Sequence, residues 1–170
     1  MNVKFVNPVV NSIVNVLSAM TGLQPQLGKP SVKQSNAALG IVTGMIEYRG
    51  SRAAVSTAIS FSEPVALGIA HKLLHIDVEE IDDIVRDLVG EMANMMAGGA
   101  KGTLEAEGYD LEMSLPSVFY GDNHEVPHTV DAPVVLLPFT TDIGDFYVEV
   151  AFSEAAQPHH ADTEQISNIP

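Results

Sequence analysis

Apolar residues recur at three- and four-residue steps in three stretches of the chain and alternate with small or polar residues in the rest. Val9, Ile13, Val16, Leu17 and Met20 share one helical face. Asn7 and Pro8 predict that this helix opens there, and Gly22 predicts its end. A loop rich in Pro and Gly follows over 23–30, then strands at 32–36 and 38–48. Arg49, Gly50 and Ser51 predict a tight connection into a strand at 52–61. There Val55, Thr57, Ile59 and Phe61 alternate with Ala54, Ser56, Ala58 and Ser60, so one face is bulky and the other small. The small face leaves room for a helix or a second sheet.

Ser62 predicts the cap of a second helix, with Glu63 and Pro64 in its first turn. Asp77 predicts the cap of a third, with Glu80 completing a capping box. Its apolar stripe is Ile81, Ile84, Val85, Leu88, Met92, Met95 and Met96. It is expected to run past Gly98 and Gly99 toward Glu107, with Gly108 as its stop. Strands follow at 109–119, 132–141 and 144–153, with a loop over 121–131 and a hairpin turn at Asp142, Ile143 and Gly144. Helix, strands, two helices, then strands is an α+β order, with a mixed, mostly antiparallel sheet of about six strands and the long helices on one face. Residues 1–153 form one domain, and 154–170 are polar without a periodic face, as in a disordered tail.

Charge and composition narrow the function. The net charge of −14 rests on only eight basic residues, scattered along the chain. That argues against a nucleic-acid partner, which needs clustered Lys and Arg. No apolar run in the sequence is read as a membrane span or a signal core. Zero cysteines exclude disulfides and thiolate chemistry. Together these features fit the cytoplasm. Asp77, Glu79, Glu80, Asp82, Asp83, Asp87 and Glu91 crowd one stretch against Arg86 alone. Most of these acids serve solubility and the helix dipole; the remainder can steer a partner with a basic rim.

On the third helix Asp87, Glu91 and Asn94 fall together beside the stripe, at roughly 100° per residue. Spacing alone would suit any solvated helix edge. A fixed carboxylate and amide can also position one water molecule. The segment Gly90, Glu91, Met92, Ala93, Asn94, Met95, Met96, Ala97, Gly98, with Leu115 and Pro116 beyond it, resembles the CheC/CheX/FliY family. Asp87, Glu91, Asn94 and Pro116 match that family's signature, which is similar to the single-site CheX form. The resemblance implies a fold of two similar halves, a homodimer, and dephosphorylation of a CheY-like response regulator in chemotaxis or related two-component signalling. It implies no cofactor on this chain and Mg²⁺ on the regulator. Glu91 and Asn94 are then the catalytic candidates and Asp87 a supporting one. The alternative is a non-catalytic scaffold of the same fold or a module that binds a signalling partner. Val148, Val150 and Phe152 suggest an apolar edge strand through which copies would pair.

Pro8, Ser12 and Asn15 repeat the spacing of Asp87, Glu91 and Asn94 without the acid, so no second site is expected there. His71 and His75 have a zinc-compatible spacing but no third ligand in sequence. His124 with His128, and His159 with His160, lack a ligand framework. Gly98, Gly99, Lys101, Gly102 and Thr103 do not precede a helix, so they form no phosphate cradle.

Overall fold

In the computed structural model, which describes residues 3–155, α1 (Val3–Thr21) leads into two short strands, β1 (Gln26–Leu27) and β2 (Ser31–Val32). The hairpin of β3 (Val42–Arg49) and β4 (Ala53–Phe61) follows, then α2 (Glu63–Leu74) and α3 (Asp83–Ala106). Next come β5 (Glu112–Met113), β6 (Ser117–Tyr120) and the hairpin of β7 (Val135–Thr141) and β8 (Gly144–Glu154). The class is α+β, with one open antiparallel sheet of eight strands where the sequence pattern suggested about six.

Two halves of similar plan build this sheet. Each has a long helix, two short strands and a long hairpin. The halves meet where β4 pairs with β8, from Ala53↔Glu154 to Phe61↔Phe146. The short strands cross over: β1 and β2 pair with β7 of the other half, while β5 and β6 pair with β3.

β8 is therefore central, flanked by β7 and β4. Val148 and Val150 are fully buried, so their alternation reflects a covered sheet face and not an edge. The edge argument for a homodimer falls with it. β8 also runs to Glu154, which accepts a hydrogen bond from Tyr109 Oη. Residues 156–170, with His159 and His160 of the expected tail, lie outside the described residues.

The helices cover the bulky face. Phe5, Val9, Ile13 and Leu17 of α1 join Val85, Val89, Met92, Met96 and Ala100 of α3 over Ile46, Val55, Ile59, Phe61, Val148 and Val150. α1 begins by Val3, a turn before the expected Asn7–Pro8 start, and takes Pro8 into its interior. Packing at the helix start offsets that break: Phe5 stacks on Phe152 at 5.0 Å and meets the Tyr109 edge at 5.2 Å. By length and composition α1 could cross a bilayer, which the sequence reading missed, but its apolar face is core.

Two strand boundaries differ from the sequence pattern. Residues 33–41, read as mostly strand, leave the sheet and fold over its small face, where Ala37 bridges Glu125. The single strand expected over 109–119 is two, separated at Ser114, Leu115 and Pro116, because proline cannot donate to a ladder. Tyr48 pairs with Met113 and Met45 with Ser117, so three steps along β3 face four on the other strand. That is a one-residue bulge.

Among the described residues, no helix or second sheet covers the small face. The 33–41 and 121–131 segments cover it through a buried polar network. Lys33 Nζ lies 2.6 Å from Glu149 Oε1, and His128 Nε2 lies 2.9 Å from Glu149 Oε2. His128 Nδ1 meets Ser56 Oγ at 2.8 Å, and His124 Nε2 meets Thr43 Oγ1 at 2.7 Å. The small residues of β4 make room for these loops.

Candidate functional site

α3 is capped by Asp82, not Asp77. The Asp82 side chain accepts from Val85 N at 3.0 Å, and the Glu80 box does not form. Val85 and Val89 are the first buried positions, and their phase selects this cap over the earlier one. Residues 75–82 are a connector, and its Asp77 Oδ1 pairs with His71 Nδ1 of α2 at 3.0 Å. The helix runs through four glycines, Gly90, Gly98, Gly99 and Gly102, to Ala106, and Gly108 (φ +92°) follows its end, as the sequence implied.

The buried side of α3 is rotated from the expected stripe. Val89, Ala93, Ala97 and Ala100 are buried, whereas Ile84 is 49% and Met95 40% exposed, and Leu88 is only partly covered. The reason lies opposite the helix. A Cβ on Gly44 would stand 2.7 Å from Ala93 Cβ and 2.8 Å from Val89 O, so α3 sits close on β3 through small residues. Larger side chains are turned to the flanks.

That rotation presents the signature residues outward. Asp87 and Glu91 are exposed and Asn94 is half-buried. Among the described residues, none gives these three side chains a hydrogen bond or an ion pair. Their backbone is fixed on one flank by α1, where Gly99 packs on Ser12, and on the other by β6. On the β6 flank a Cβ at Gly90 would lie 3.3 Å from Val118 Cγ2 and 3.8 Å from Pro116 Cγ. Pro116 thus touches the helix between Asp87 and Asn94, one turn from each. The structure brings all four signature residues together.

The charge around the pair is negative. Arg86, the nearby cation, is occupied within the chain: it pairs with Asp83, donates to Ile81 O at 3.0 Å and lies 4.2 Å over the Tyr120 ring. Asp87 and Glu91 remain without compensation by it. A cleft of about 600 Å³ opens elsewhere, lined by Arg49, Ser51, Lys101, Glu105, Asp110 and Glu112. Neither Glu91 nor Asn94 lines it. The site is an exposed helix face, a shape that suits a macromolecule and not a small enclosed substrate.

The other candidates separate from this face. His71 and His75 are exposed at the end of α2, where His75 adopts φ 55° as the C-cap. His124 and His128 belong to the network under the opposite face. Among the described residues, no group of three or more His, Asp or Glu could hold a metal ion. Ser12, the echo of Glu91, is buried at the α1–α3 crossing. The sequence reading missed the role of Gly90 and the bulge; only the Leu115–Pro116 step hinted at either.

Residues 42–140 match the family model described as chemotaxis phosphatase CheX. The chain is 27% identical to the CheY-P phosphatase CheX of Thermotoga maritima, over 71% of this chain and 78% of that protein. Its structure is similar to a CheC-like superfamily protein from Shewanella sp. PV-4, with a TM-score of 0.84, 40% identity, and 90% and 99% of the two chains covered. A CheX–CheY–BeF₃–Mg²⁺ complex from Borrelia burgdorferi matches with a TM-score of 0.74 and 25% identity, covering 88% of this chain and 98% of that one. The chain belongs to the CheX family.

Proposed function

From that membership, we propose that this chain hydrolyses the aspartyl phosphate of a CheY-type response regulator, with Asn94 orienting the attacking water and Glu91 assisting. One observation carries the reading: Glu91 and Asn94 stand side by side on a rigid helix, open to solvent and with no hydrogen bond or ion pair to their side chains among the described residues. The relatives' activity and the CheX–CheY complex support the choice of substrate.

The chemistry asks little of this protein. An aspartyl phosphate is an activated acyl phosphate. A water oxygen bonds to phosphorus while the bond to the carboxylate oxygen breaks; inorganic phosphate leaves and the aspartate carboxylate is restored. The regulator brings the phosphoryl group and its Mg²⁺, which neutralises charge. What remains is to hold the water in line. The Asn94 amide oxygen can accept a hydrogen bond from the water and its NH₂ can donate one to an oxygen beside it, as an orienting Gln does in GTPases. It is not a base at neutral pH and takes no proton.

Glu91 projects one turn before Asn94 with its charge unpaired. It suits a lysine at the regulator's active site, and that pairing would set the docking angle. Positioning a reactant in this way can lower a barrier by about 7 kcal/mol or more. Asp87, a further turn back, adds to the negative field that draws such a basic rim. The test is loss of acyl phosphate from a Mg²⁺-bound regulator with a catalytic amount of this protein. Faster decay is expected; an unchanged rate for every CheY-type receiver of the source organism would leave the scaffold reading.

A further inference from the structure

We propose that Gly98 is the point of closest approach between α3 and the receiver domain of the regulator: its missing side chain lets the receiver's phosphoryl-bearing loop settle onto Asn94. The inference rests on the assignment of Asn94 and Glu91 above and adds a specificity-determining residue to it.

Glycine disfavours a helix relative to alanine, so each of the four glycines of α3 needs a reason. Two have one inside the chain. A Cβ on Gly99 would overlap Ser12 of α1, and a Cβ on Gly90 would press on Val118 at 3.3 Å. Gly98 has neither kind of neighbour: among the described residues, nothing lies within 4 Å of a Cβ added there. Its φ is not positive either, so the backbone does not demand glycine. Packing within the described chain and backbone geometry both leave Gly98 unexplained.

Gly102 is equally open, and the two differ in their distance from the site. Gly98 stands four residues, about 6 Å along the axis, beyond Asn94, and Gly102 about 12 Å. At roughly 100° per residue, Gly98 falls between Glu91 and Asn94 when seen down the helix axis. It therefore continues the line of the pair on the same exposed face.

The surroundings of Asn94 give this gap its use. A helical side chain is bordered by the residues three and four positions away. For Asn94 these are Gly90, Glu91, Ala97 and Gly98. Gly90 and Ala97 are buried, and Glu91 is the proposed docking group. Gly98 leaves the fourth side exposed and without a side chain. Asn94 itself is half-buried and its amide sits on a short stem, so a partner must come down to it. An aspartyl phosphate also lies close to its own backbone. For the amide to hold a water in line with phosphorus, the two backbones must come near each other. A helix with its side chains is about 10–12 Å across, whereas its Cα atoms lie about 2.3 Å from the axis. Glycine brings the partner down to the backbone itself, the use glycine has wherever a backbone approaches a ligand closely.

A methyl group at this position holds the receiver off without disturbing the fold. A displacement of about 1 Å from the productive geometry can cost a reaction about 100-fold. Stability and activity then move in opposite directions at Gly98, while at Gly102 only stability moves.

The experiment uses the full chain with a Mg²⁺-bound CheY-type receiver and compares Gly98→Ala, Gly98→Leu, Gly102→Ala, Gly102→Leu and Asn94→Ala. Phosphate release gives kcat/KM, calorimetric titration with the receiver loaded with Mg²⁺ and beryllofluoride gives Kd, and urea unfolding gives stability. Gly98→Ala is expected to raise the urea midpoint and to lower kcat/KM about tenfold or more. Gly98→Leu is expected to raise Kd about tenfold or more, while both Gly102 variants keep wild-type kcat/KM and Kd. If both Gly98 variants bind and turn over as wild type while Asn94→Ala loses turnover, close approach is wrong and the assignment of Asn94 stands. If Asn94→Ala retains full turnover, the underlying assignment fails. Equal losses at Gly98 and Gly102 would mark a general effect of stiffening α3 and overturn the proposal. A lower urea midpoint for Gly98→Ala would reveal a contact within the chain, and a lower mass by light scattering for Gly98→Leu with unchanged Kd a contact between copies; either result overturns it.

Discussion

Gly99 on α3 lies directly over Ser12 on α1, so close that a Cβ on Gly99 would overlap Ser12 Oγ. Glycine in a helix interior costs about 1 kcal/mol relative to alanine. Here that cost is offset by bringing the two long helices together. The same contact buries Ser12, which holds the place in α1 that Glu91 holds in α3. The pseudo-symmetric position has become a helix-packing seam.

Gly99→Ala is therefore expected to destabilise the protein by about 1–3 kcal/mol through overpacking. Ser12→Gly in the same chain should recover part of that loss, because the two sites share one contact. Urea unfolding of the four members of this cycle measures the coupling. Purely additive effects would mean that α1 shifts without resistance.

Gly102 gives the opposite expectation. Nothing lies within 4 Å of a Cβ added there. Gly102→Ala should stabilise α3 by about 0.5–1 kcal/mol through helix propensity and a less disordered unfolded chain. A higher midpoint in urea, with phosphatase activity unchanged, is the expected result. A lower midpoint would show that the glycine serves a contact outside the described residues.

The parts of the fold that depend on local spacing were legible in the sequence. Val55, Ile59 and Phe61 marked their strand, and Asp87, Glu91 and Asn94 their helix face. Parts set by distant neighbours were not. Gly44 decides how α3 rotates, turning Met95 outward and Ala97 inward, yet it lies on β3. Val148 and Val150 read as an edge because alternation reports a covered face and does not say whether strands lie on both sides. The register slip at Leu115 depends on β3 and leaves only a proline as its local trace. Asp77 and Asp82 are equivalent caps by composition; burial of Val85 separates them.

The network under the small face carries a stability prediction of its own. Glu149 is fully buried, and Lys33 and His128 are its two partners there. Lys33→Met removes the lysine charge and leaves the carboxylate with His128 alone. The expected cost is about 3–5 kcal/mol, since a buried charge without its partner is costly. Lys33→Met with Glu149→Gln should lose less than Lys33→Met alone. Denaturant midpoints of both variants decide this; equal stability of Lys33→Met and wild type would show that water reaches Glu149.

The signature pair gives the sharpest expectation. Asn94 is half-buried at the surface of α3 and Glu91 is exposed, and among the described residues neither side chain makes a hydrogen bond or ion pair. Replacing either with alanine should leave the melting temperature almost unchanged. The effects on activity should differ in kind. Asn94→Ala removes the group that orients water, an interaction made in the transition state, so turnover should fall about 100-fold or more with half-saturation little changed. Glu91→Ala removes a docking charge, so part of its defect should recover at high regulator concentration. It should also make binding less sensitive to salt, because an exposed ion pair is screened. Asn15→Ala, on the symmetric helix without an acid beside it, should leave phosphate release unaffected. A double variant, Glu91→Ala with Asn94→Ala, that releases phosphate at the wild-type rate would remove both residues from the mechanism and make the scaffold reading the better one.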